Sequence, residues 1–163
     1  MQLTAAILTM GLLAGIQCDR DATQLQGVRL EMTKDQVHKV LRQVADYKLQ
    51  DENQEVWVFR SDPNIRSIIV GFAPDNRVRY VTAIAKPDGR PLPCRPLGNI
   101  KNAQVAGTAG NLVFTHSWKE HHEEFVATAR GTKERLASCS VKKAGAGIQN
   151  EEEEERQRHK VAK

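Results

Sequence analysis

Side chains able to hold a cation or move a proton crowd into one short stretch, residues 116–124, HSWKEHHEE. Imidazole and carboxylate are ligands that zinc and copper accept, and a hairpin here would bring His116 toward His121. The expected metal set is His116, His121 and Glu123. Adjacent His121 and His122 point different ways on a strand or turn, so at most one of them joins. The spacing matches no closed zinc site, and solvated turn residues are the competing reading. Cysteine offers a second chemistry, at Cys18, Cys94 and Cys139. Neither Cys94 nor Cys139 carries a nucleophile signature, and export favours a disulfide between them. Closing so long a loop would stabilise the fold by roughly 2–4 kcal/mol. Cys18 is a candidate for lipid attachment at a mature N-terminus, although Gln17 stands where a small residue is normally wanted. No Gly-x-Ser-x-Gly elbow, phosphate loop or dinucleotide fingerprint occurs, and no carboxylate pair stands out. The expectation is a non-enzymatic protein with no catalytic residues and no cofactor.

The elements that must position these groups start with a helix in residues 27–44, GVRLEMTKDQVHKVLRQV. Thr33 is a strong N-cap, and Gln36 three residues later completes a capping box. Val37, Val40, Leu41 and Val44 recur at helical spacing and form one apolar stripe. So short a helix must dock on something to persist. Residues 45–54 read as a helical extension or a turn. Strands are expected at 55–60, 66–72 and 77–85, joined by short turns as an antiparallel meander that the helix covers. Residues 87–111, rich in Pro and then Gly, read as a connection. Three more strands are expected at 112–118, 123–130 and 133–141. Pattern leaves open whether they extend the first sheet. The fold class expected is α+β: one capped helix on a meander, then a second three-strand set, with disordered termini.

The chain has 163 residues, 40% hydrophobic and 27% charged, with a net charge of +4. That charge is too small to argue for nucleic acid and supports at most a membrane-surface preference. Residues 3–16 are uncharged and mostly apolar, long enough for a signal-peptide core and short for a bilayer span. The expected organisation is a signal peptide at 1–17, a tether at 18–26, the helix-plus-meander unit at 27–86, the connection at 87–111, the strand set at 112–142, and a charged tail at 143–163. The expected location is the periplasm or outer envelope, or outside the cell. Trp57, Tyr80 and Trp118 are candidates for partner contact, although side chains of this kind more often sit in a core.

The run from Gly27 to Leu41 followed by a meander resembles the small envelope proteins of the SmpA/OmlA, BamE-like type. Met32, Thr33, Val37 and Leu41 match the helical pattern, Trp57 and Phe59 the aromatic strand, and Val78 with Val81 the last strand. The match covers residues 25–85 and departs at Glu31 and Arg42, where the family carries glycine. The resemblance implies an envelope accessory role through contacts with another envelope protein or a lipid surface. Two alternatives stand beside it: an exported inhibitor-like module, since the β-lactamase-inhibitor-like fold shares the arrangement, and a metal-binding protein using the 116–124 hairpin.

Overall fold

The computed structural model describes residues 22–51 and 53–145, the side chains of residues 49 and 50 excepted. The expected signal peptide, Cys18 and the tail beyond Gly145 lie outside these residues. Helix α1 spans Lys34–Leu41, and its start follows from its cap. The Gln36 N–H donates to Thr33 Oγ1 at 3.4 Å, and the Thr33 N–H donates to Gln36 Oε1 at 2.9 Å. Both donors would otherwise be orphaned at the helix start. Val37 and Leu41 are fully buried, Val40 packs at their side, and Val44 stands 48% exposed. The helix ends at Leu41, with the Arg42 N–H donating to the His38 carbonyl at 3.1 Å, so the expected run through Val44 does not occur.

Ten strands accompany it among the described residues. The hairpin β1 (Gln24–Leu25) and β2 (Val28–Arg29) precedes the helix. Residues 24–25 were expected in a tether, but Leu25, Val28 and Leu30 bury into the main core and fix the segment. After α1 come β3 (Ala45–Asp51), β4 (Gln54–Phe59), β5 (Ile65–Phe72) and β6 (Val78–Ala85). Two 3-10 turns, Arg95–Leu97 and Ile100–Asn102, lead to β7 (Gln104–Thr108), β8 (Asn111–Glu120), β9 (Glu123–Gly131) and β10 (Leu136–Lys143).

The order β3-β4-β5-β6-β10-β9-β8-β7 makes one antiparallel sheet of eight strands. This overturns the α+β expectation: the protein is mostly β, and its two strand sets are one sheet. The join is the β6–β10 ladder, which sets Val81 opposite Val141 and Ala83 opposite Cys139. β-branched and small side chains fit that centre closely. Residues 45–51, expected as helix or turn, pair with β4 instead. Tyr47 lies opposite Trp57 and edges onto its ring at 5.3 Å. Residues 104–108, within the expected connection, form the far edge of the sheet.

Register assigns every strand residue to a face. Trp57, Ile68, Ala83, Cys139, Ala129 and Phe114 lie in one row across six strands, and all are buried. On this face lie α1, the β1–β2 hairpin and Leu92 and Leu97 of the 87–103 segment. Cys94 and Cys139 form the expected disulfide, with Cα atoms 5.6 Å apart. The Arg135 guanidinium secures the same segment by donating to the carbonyls of Lys86 and Gly89, at 2.9 and 3.2 Å, and to that of Pro87. Among the described residues no helix is long and apolar enough to cross a membrane.

Candidate functional site

The opposite face of the sheet carries no layer among the described residues. Its central row is Val56, Ile69, Thr82, Ser140, Thr128 and Thr115, each partly exposed. Neighbouring positions on this face include Val58, Ile84, Val113 and Val126. Hydroxyls stitch its middle: Thr82 Oγ1 and Ser140 Oγ are 2.7 Å apart, and Ser140 also donates to the Val81 carbonyl at 3.3 Å. Tyr80 lies flat over Gly71, where a Cβ would meet its ring at 1.9 Å. Its hydroxyl donates to Gln54 Oε1 at 2.5 Å. Burial pushes the Tyr80 phenol above its usual value, against the pull of the Arg79 guanidinium. Exposed Arg130, Lys142 and Lys119, with Glu124, stand at the strand ends of this face. The result is a broad apolar and hydroxylated surface with a mainly cationic rim.

On the covered face, Glu55 is the one fully buried carboxylate among the described residues. It shares an inward parity with Trp57 and Phe59 and faces α1. His38 Nε2 lies 2.9 and 3.0 Å from its two oxygens, Lys34 Nζ lies 3.1 Å away, and the Trp57 Nε1–H donates at 3.1 Å. Arg42 approaches His38 Nδ1 at 3.2 Å. Arginine only donates and a carboxylate only accepts, so Nε2 carries the imidazole proton and Nδ1 accepts. This network fastens the helix to the sheet, and its donors satisfy a charge that burial would otherwise make costly.

Trp57, expected as a partner contact, is 1% exposed and serves this network and the core. Tyr80 does stand on the uncovered face. Trp118 lies on the covered face, in a column with His116 and Phe125. Each neighbouring ring is 5.6 Å away, at 16° and 23° to the indole. The histidines do not assemble. His116 stacks on Trp118, while His121 and His122 form the two-residue β8–β9 turn with positive φ angles of 48° and 68°. Glu123 turns to Lys143 at 2.7 Å. With Glu31 it holds the Lys143 ammonium above its usual pKa, Glu123 contributing more. No three His, Cys, Asp or Glu among the described residues gather as a metal ion requires. The disulfide leaves neither Cys94 nor Cys139 as a free nucleophile.

A cleft of about 290 Å³ opens beside the aromatic column. His116, Trp118 and Glu120, successive inward positions of β8, form one wall, and Arg95, Pro96 and Gly98 form the other. The disulfide at Cys94 pins that second wall to the sheet. Sequence reasoning missed Glu55 and this cleft. Parity with Trp57 and Phe59 was the available signal for Glu55; nothing local signalled that Arg95 returns over β8.

No protein-family model, curated protein or solved structure matches this chain. The disulfide marks a protein that folds outside the reducing cytoplasm.

Proposed function

We propose that this chain is an exported, non-enzymatic accessory protein of the cell envelope that binds another envelope protein on the uncovered face of its sheet. One observation carries the reading: an eight-stranded sheet places its helix, hairpin and pinned connection on one face and leaves the other to Val, Ile, Thr and Tyr. Antiparallel sheets commonly solvate one face with polar side chains. Here Val56, Val58, Ile69, Ile84, Val113 and Val126 share it with Thr and Ser, and a partly apolar surface that no other element covers among the described residues favours an interaction site. The resemblance of residues 25–85 to BamE-like proteins and the apolar leader at residues 3–16 support the envelope as the setting.

The test is a photo-crosslinking residue placed at Thr128, on this face, and at Lys39, on the outer side of α1. A discrete adduct from Thr128 in the envelope fraction, absent from Lys39 and lost on Ile84→Lys, is the expected result. Equal adducts from both positions, or an adduct insensitive to Ile84→Lys, would overturn the proposal.

A further inference from the structure

We propose that β7 is a docking edge for a second copy of this chain, which adds its own β7 antiparallel and continues the sheet. This edge is separate from the face proposed above as the partner surface. The end strands of a sheet expose unpaired N–H and C=O groups, and folds ordinarily guard them with charge, proline or a bulge. The two ends of this sheet differ in that respect. β3 carries Asp46, Lys48 and Asp51, and its ladder is bulged between Tyr47 and Leu49. β7, QVAGT, has no charge and no proline, and its pairing with β8 runs without a register shift. The lack of charge extends along the hairpin: residues 102–118 contain no Lys, Arg, Asp or Glu, in a chain that is 27% charged. All five β7 residues are exposed, Val105 by 51%, and no strand pairs with the outer side of β7 among the described residues.

The strand is also complementary to itself. A two-fold axis at Ala106 sets Gln104 opposite Thr108 of the second copy, Val105 opposite Gly107, and Ala106 opposite Ala106. Polar meets polar, and the bulkiest apolar side chain meets the residue that has none. Gly107 must be glycine for its own hairpin, since its φ is 105° and a Cβ would collide with the Asn111 carbonyl. The notch it leaves lies on the same side of the sheet as Val105. Alternate residues of β7 aim their backbone groups away from β8, and the two-fold pairs like with like whichever alternation holds. No like charges meet across the seam. The axis stands normal to the sheet, so the uncovered faces of the two copies become one surface. A five-residue ladder is a small interface, so the association is reversible and concentration-dependent.

Sedimentation of the full chain at rising concentration should show a monomer–dimer equilibrium that stops at the dimer. The register is read by cysteine oxidation in a Cys18→Ala chain whose Cys94–Cys139 bond is intact. Ala106→Cys should give a covalent dimer, since either kind of antiparallel pair keeps opposed Cα atoms within disulfide range. Gln104→Cys should stay monomeric, because its two copies lie four positions apart along the seam, about 13 Å. Adding Val105→Lys to Ala106→Cys should abolish the covalent dimer and leave the circular dichroism unchanged, as Val105 is exposed. A chain that stays monomeric, or equal crosslinking from both cysteines, would overturn the proposal. So would growth into open-ended oligomers, which would pair β7 with β3 of another copy.

Discussion

At the scale of single residues, Glu55 links the helix to the sheet through three donors, two of them on α1. Replacing it with alanine leaves Lys34, His38 and the Trp57 N–H without their common acceptor. We expect Glu55→Ala to cost about 3 kcal/mol, the range for breaking a buried charge network, with Glu55→Gln costing less because an amide oxygen still accepts. Denaturant unfolding of both variants checks this, and near-equal costs would mean the charge is irrelevant. Tyr80 offers a second residue-scale test. Burial raises its phenol, so the folded chain holds that proton more tightly than the unfolded chain. Its contribution to stability is therefore whole below the usual phenol value of 10.0 and is lost as pH rises beyond it. In a Tyr47→Phe background, absorbance titration should place the remaining phenolate above 10.0 when folded and should bring it back to 10.0 in denaturant. A folded titration at or below that value would contradict the packing of Tyr80 over Gly71.

Among elements, the β8–β9 turn and the pinned connection make the clearest predictions. His121 and His122 occupy left-handed backbone that Asn-Gly adopts far more readily. The double change His121→Asn, His122→Gly should stabilise the chain by about 1 kcal/mol, read as a higher melting temperature. A lower one would mean that the imidazoles earn their place through contacts. The disulfide spans 45 residues, and loop closure of that length is worth about 4 kcal/mol in the chain-entropy account. Paired Cys94→Ala and Cys139→Ala should lose up to that amount and also loosen the Arg95–Leu97 turn over β8, which the Trp118 resonance would report. The helix was legible from Thr33, Gln36 and the Val37–Leu41 spacing because capping and amphipathicity are local. Strand β3 was not, because ADYKLQD has no clear alternation and takes its conformation from its ladder with β4. Val44 illustrates the same limit: it fits the helical stripe on paper, yet the chain leaves the helix before reaching it.

For the whole molecule, the decisive event is the pairing of β6 with β10. It joins residues nearly sixty positions apart in sequence, as Thr82 with Ser140 illustrates, and no local pattern encodes such a register. Read separately, the two strand sets suggested a meander under a helix and an appendage. Paired, they give one sheet with a covered and an uncovered face. The same register explains the uneven fate of the aromatics: Trp57 and Trp118 fall on the covered face, and Tyr80 falls on the other. Partner binding by the uncovered face can be tested at two adjacent residues that register sends to opposite sides, Ala127 and Thr128. Single cysteines are placed there in a Cys18→Ala chain, and maleimide labelling is compared for the isolated protein and for intact envelopes. The account predicts that Thr128→Cys labels rapidly in isolation and is protected in the envelope, while Ala127→Cys resists labelling in both. Equal labelling of the two positions, or rapid labelling of Thr128→Cys in the envelope, would contradict it.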